Sequence, residues 1–222
     1  MQTKIIGEIL PVVTCRLAKG ESVITQSGGM SWMEDGITMK TTTNGGIIRG
    51  VGRALAGDSL FINIYTAERE GAEITFSSYF PGKILEFNLV KGERIFVQNK
   101  VLLCSESTVD IKMVYKKKEG SKSIDGEGMH MQQITGPGKV YIQATGSVIE
   151  KELCANEMLK VDTSYVAAIS ERVQVGIEML DGNKNVFFGG EGFLLTTLQG
   201  PGKIWLQSMP LYKFTNYVNS VR

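Results

Sequence analysis

The chain repeats itself, and this limits what it can fold into more than any other feature. Gly136-Pro137-Gly138-Lys139-Val140-Tyr141-Ile142-Gln143 returns 64 residues later as Gly200-Pro201-Gly202-Lys203-Ile204-Trp205-Leu206-Gln207. The same offset relates Gly126-Glu127-Gly128-Met129 to Gly190-Glu191-Gly192-Phe193, Glu93 to Glu157, and Val97 to Val161. One offset shared by four landmarks marks internal repeats, which have to be read before any local element. A more diverged first copy precedes them. Lys19-Gly20-Glu21-Ser22-Val23-Ile24-Thr25-Gln26 matches Lys91-Gly92-Glu93-Arg94-Ile95-Phe96-Val97-Gln98, and Gly57-Asp58-Ser59-Leu60 stands where the second copy has Gly126-Glu127-Gly128-Met129. The linker 82–93 resembles 146–157. The copies therefore run 19–90, 91–154 and 155–209, with an N-terminal strand before them and a tail after.

Each copy reads as a set of short strands. In the third the runs are 158–162, 165–169, 173–179, 193–198 and 203–208. Val173, Val175, Ile177 and Met179 alternate with polar or small residues, the period of two expected of a half-buried strand. Ile37 with Met39, and Val109, Ile111 and Met113, do the same in the other copies. The 26 glycines punctuate these runs as turns. In Gly-Pro-Gly, proline presets φ and glycine supplies φ > 0, which fits a tight hairpin. The tail differs: Leu211, Phe214, Tyr217, Val218 and Val221 are spaced by three and four, predicting an amphipathic helix after Pro210, within 210–222. Its apolar face is expected to pack on the β body, with a subunit interface as the alternative. A lone copy cannot bury a core, so the three must share sheets. The expectation is one all-β domain over 1–222, of double-stranded β-helix or β-sandwich type.

Composition excludes several classes. No segment reaches the ~18 consecutive apolar residues of a membrane span. The start, Met1-Gln2-Thr3-Lys4-Ile5-Ile6-Gly7-Glu8, lacks the features of a signal peptide, and no Arg- and Ser-rich presequence is present, so a cytoplasmic protein is expected. With 24 basic and 23 acidic residues there is no basic excess to favour nucleic acid. Cys15, Cys104 and Cys154 show no metal-ligand spacing and read as buried free thiols.

Several of these segments, in this order, resemble the "altered inheritance of mitochondria protein 24" family. They are Lys19 to Gly28, Arg53-Ala54-Leu55-Ala56-Gly57-Asp58-Ser59-Leu60-Phe61, Tyr79-Phe80-Pro81-Gly82-Lys83-Ile84, Phe188-Gly189-Gly190-Glu191-Gly192-Phe193 and the closing Gly-Pro-Gly octapeptide. The likeness covers nearly the whole chain. It implies a fold similar to the tryptophan RNA-binding attenuator protein: all-β, of double-stranded β-helix type, with pseudo-repeats. Fungal members are mitochondrial and linked to inner-membrane organisation, a role not carried to a chain without a presequence. The family supplies no catalytic residues. The second copy has Ser123-Ile124-Asp125 where the third has Phe188-Gly189, so the shared Gly-Glu-Gly reads as backbone geometry rather than a ligand contact.

Little chemistry stands out. His130 is the only histidine, alternating with Met129 and Met131. A cupin-type metal site needs several imidazole or carboxylate ligands, and no G-x-S-x-G nucleophile elbow occurs. The most unusual segment, 44–58, sets Arg49 and Arg53 among glycines and the bare aliphatics Ile47, Ile48, Val51 and Leu55. It reads as a hairpin loop folded over the body, as a contact for a protein or membrane-surface partner, or as an anion site in which Arg forks a phosphate. Lys116, Lys117 and Lys118 form a polar hairpin tip, with anion or RNA contact as the sharper reading. Glu21, Glu93 and Glu157 recur just after a turn residue, which in repeats points to a recurring turn hydrogen bond; a carboxylate cluster for a metal is the alternative. The expectation is a non-enzymatic binding or scaffolding protein without a cofactor, acting as a homo-oligomer. A small-molecule or anion-binding module and an RNA-binding protein are the alternatives.

Overall fold

The structure is a computed structural model describing residues 1–26, 28–43, 61–116, 129–179 and 194–220. An N-terminal strand, β1 (Gln2–Ile6), precedes three sets of six. The first set is β2 (Val12–Leu17), β3 (Ser22–Gln26), β4 (Trp32–Met33), β5 (Ile37–Thr43), β6 (Phe61–Ala67) and β7 (Ala72–Ser77). The second is β8 (Gly82–Leu89), β9 (Arg94–Gln98), β10 (Leu102–Glu106), β11 (Asp110–Lys116), β12 (Met129–Thr135) and β13 (Gly138–Thr145). The third is β14 (Val148–Leu153), β15 (Met158–Val161), β16 (Val166–Ser170), β17 (Gln174–Met179), β18 (Leu194–Gln199) and β19 (Gly202–Gln207). A helix, α1 (Leu211–Ser220), follows. The strands expected in the third copy fall within one or two residues of those observed. By strand count each set begins one strand earlier than the 19–90, 91–154 and 155–209 division; the period is the same.

The strands form four antiparallel sheets. The first has the order β1-β2-β7-β4, the second β5-β6-β3-β10-β13-β8, the third β11-β12-β9-β16-β19-β14 and the fourth β15-β18-β17. The second and third are built alike: the fourth, fifth and second strands of one set, in that order, pair onto the third, sixth and first strands of the next. The registers repeat as well. Ile24 faces Ser105 across β3 and β10, and Phe96 faces Ile169 across β9 and β16. Even the bulge recurs, between Leu102 and Cys104 in β10 and between Val166 and Ala168 in β16. The middle set divides its strands, β8, β10 and β13 in the second sheet and β9, β11 and β12 in the third, so the cut between packed bodies runs through that repeat rather than beside it.

The chain expected as one domain over 1–222 packs as two compact units: Met1–Arg94, Lys100–Met113 and Ile134–Ala144; and Ile95–Asn99, Val114–Gln133 and Thr145–Arg222. In the first unit the core lies between the first two sheets. Val13, Cys15 and Leu17 of β2 are buried while Arg16 between them is exposed, the alternation of a strand with one wet face. Phe76 of β7 meets Tyr65 of β6 edge to face, with centroids 6.4 Å apart. In the second unit Phe96, Leu153, Ile169 and Ile204 pack with Val175 and Leu198. Alternation fails at Met39, which is exposed although Ile37 is buried. Cys15 and Cys104 are buried as expected, 3.9 Å apart, whereas Cys154 is exposed because it lies in a turn.

The tail is helical where expected, but its apolar face is not buried. Leu211, Phe214, Tyr217 and Val218 are all exposed. Instead, Lys213 ties the helix down: its Nζ lies 3.2 Å from Asp162 Oδ2 and 4.9 Å from the centre of the Tyr165 ring. The buried Pro210 carbonyl accepts the Lys213 and Phe214 amides and starts the first turn.

Candidate interaction site

Most of the residues singled out for binding, Ile47, Ile48, Arg49, Val51, Arg53, Leu55, Lys117 and Lys118, lie outside the described residues. Lys116 ends β11, with its side chain outside the description. His130 lies on β12 between the buried Met129 and Met131, which face the core; its own side chain is outside the description.

The recurring glutamates are described, and all three do the same thing. Glu21 accepts the Ala18 amide, Glu93 the Val90 amide and Glu157 the Cys154 amide, each at 2.9 Å and three residues back. Between each pair sits a residue with positive φ: Gly20 at 84°, Gly92 at 83° and Asn156 at 67°. Asparagine tolerates that conformation better than other side chains do. The backbone of each glutamate then accepts from Ala67, Gly136 or Gly200, locking the turn to the end of a later strand. At Glu157 the Cys154 amide is the main influence, opposed by desolvation and helped by Lys151; the net effect holds the carboxyl below the usual carboxylate range. No group of three or more His, Cys, Asp or Glu among the described residues is placed to hold a metal ion.

The Gly-Pro-Gly octapeptides serve the same turns from the other side. A Cβ on Gly136 would lie 2.5 Å from the Val90 carbonyl oxygen, and one on Gly200 2.3 Å from that of Cys154. The first glycine is thus required by close backbone approach. The third, Gly138 at φ 141° or Gly202 at φ 148°, adopts a backbone that side chains rarely accept.

What the described surface offers is apolar area. The turn joining β1 to β2 exposes Ile5, Ile6, Ile9 and Leu10, with Ile9 72% accessible. Gly7, at φ 94°, makes the turn, and the Ile9 carbonyl accepts the Gly82 amide. Tyr79 is exposed on the same unit, its hydroxyl donating to the Gly28 carbonyl at 3.1 Å. On β4, Trp32 is 56% and Met33 40% exposed. Large aliphatic and aromatic side chains exposed together at a turn or an edge are candidate contact residues. The sequence carried a signal for the first group, four aliphatics around Gly7-Glu8. It carried none for β4, whose exposure depends on strand order. No helix among the described residues is long and apolar enough to cross a membrane.

Comparison with known proteins agrees with the all-β reading and adds no chemistry. The chain is 26% identical over 213 residues to an uncharacterized protein of Streptococcus pyogenes serotype M6, covering 92% of this chain and 84% of that protein. Its fold matches the crystal structure of protein SPYM3_0169 from Streptococcus pyogenes with a TM-score of 0.79 at 22% identity, over 100% of this chain and 99% of the other. The sequence profile of the mitochondrial biogenesis AIM24 family matches residues 3–209, and the chain belongs to that family.

Proposed function

We propose that this protein is a non-enzymatic binding or scaffolding body that works as a homo-oligomer, in the cytoplasm. The observation that carries the reading is the apolar surface left uncovered at the β1–β2 turn, at β4 and along α1. Such surface is costly to leave in water and is covered in use. The recurring polar motif supports the same view, because the three glutamates are occupied in turns.

A native mass spectrum of the full chain tests this. The expected result is a multimer at bare protein mass, with association weakened by Ile9→Glu. A monomer carrying a fixed extra mass would overturn it and move the search to a small-molecule or anion site, with Arg49→Ala and Arg53→Ala as the next variants.

A further inference from the structure

The strand order leaves two half-junctions. Inside the second and third sheets, the second strand of one set pairs with the third strand of the next: β3 with β10, and β9 with β16. The corresponding strand of the last set, β15, ends the fourth sheet, and the corresponding third strand of the first set, β4, ends the first sheet. By pattern, the fourth sheet lacks the three strands that would follow β15, and the first sheet lacks those that would precede β4.

Burial separates these two strands from their counterparts. Leu102 to Ser105 and Val166 to Ile169 are buried throughout, whereas the equivalent Ser31, Trp32 and Met33 are all exposed. The middle of β3 and of β9 is buried over three consecutive residues; in β15, Met158 and Lys160 are exposed and Leu159 and Val161 only half-buried. The same positions are interior where a neighbouring set covers them and wet where none does. A sheet edge with apolar side chains on both faces is a template for another strand.

We infer that β15 of one molecule pairs antiparallel with β4 of a second copy of this chain, joining the two sheets into one of order β17-β18-β15-β4-β7-β2-β1, in which β17 to β2 repeat the six-stranded order of the second and third sheets and β1 adds an edge. The inference rests on the homo-oligomer reading and gives it a specific junction. The register follows from the two junctions already present. Ile24 opposite Ser105 and Phe96 opposite Ile169 shift to Lys160 opposite Met33; by the same step Leu159 faces Glu34 and Val161 faces Trp32. Val161 and Trp32 then form a β-branched to aromatic cross-strand pair, a stabilising combination. Each chain carries one half of each kind, so the contact is head to tail, and a closed assembly covers every half.

The test uses the full chain with the exposed Cys154 changed to serine. Trp32→Cys is placed in one preparation and Val161→Cys in another. Mixed and oxidised mildly, they should give a disulfide-linked dimer containing one of each chain; either alone should give far less. Trp32→Lys should weaken association at least tenfold while leaving the circular dichroism spectrum and melting temperature unchanged. An assembly whose mass is indifferent to Trp32→Lys, with no mixed dimer, would overturn the junction but leave the homo-oligomer reading standing. A protein that stays monomeric at micromolar concentration would overturn both. A double Trp32→Cys, Val161→Cys chain that links to itself at monomer mass would also overturn the inference, because the halves would then close within one molecule.

Discussion

Glu21, Glu93 and Glu157 each accept an amide three residues back, and single residues of this kind set the turn geometry on which the repeats depend. Glu93→Ala should lower stability by about 1 kcal/mol, the typical net worth of such a hydrogen bond, read from a urea melt. For Glu157 the sign with pH is fixed by the direction of its shift. Its carboxyl titrates lower in the folded chain than in the unfolded one, chiefly because of the Cys154 amide. Its contribution is therefore complete above the unfolded value of about 4.3 and is lost as pH falls through the lower folded value. Glu157→Gln should flatten the acid limb of a melting-temperature profile between neutral pH and pH 3 relative to the parent. Gly136 and Gly200 are legible in the sequence as turn residues, but their actual constraint is different. A methyl group there meets a carbonyl oxygen at 2.5 and 2.3 Å. Gly200→Ala should cost about 1–3 kcal/mol, as overpacking does, whereas Gly20→Ala meets open space and strains only the positive φ.

At the scale of the element, periodicity located the strands well and the helix to the residue after Pro210. It did less well at saying which faces are buried. Met39 keeps the period of two yet is exposed, and the apolar stripe of α1 keeps the helical period yet faces solvent. Periodicity reports that a face is apolar and is silent on what covers it. Lys213 ties the helix to Asp162 and Tyr165. Lys213→Ala should leave the global melt within about 1 kcal/mol of the parent, since exposed ion pairs are weak. Hydrogen exchange should nevertheless speed up severalfold at the amides of residues 214–220 and nowhere else. Unchanged protection there would show that the helix is held by other contacts.

Across the whole molecule, the two buried thiols probe the packing of the first unit. Cys15 and Cys104 sit at the core between its sheets, and burial first, then the neighbouring Cys15, pushes the Cys104 thiol well above its ordinary value. A thiol reagent should modify one cysteine per native chain, Cys154, and all three in denaturant. Fast labelling of two or three in the native protein would mean that the first two sheets separate readily.

Repetition, strand content, turn positions and the role of the glutamates were all readable from the sequence, because each is set by neighbours a few residues away or by a constant offset. The candidate contacts at 44–58 and 117–118 were chosen from composition alone and lie outside the described residues. The exposed apolar pair Trp32 and Met33 on β4 could not have been found that way. Trp32, Cys104 and Ala168 occupy equivalent strands, and only the order in which distant strands pair decides that two are buried and one is exposed. Local pattern determines that a segment becomes a strand. Which strand lies beside it is settled by long-range hydrogen bonding and burial, and that is what the tertiary structure decided.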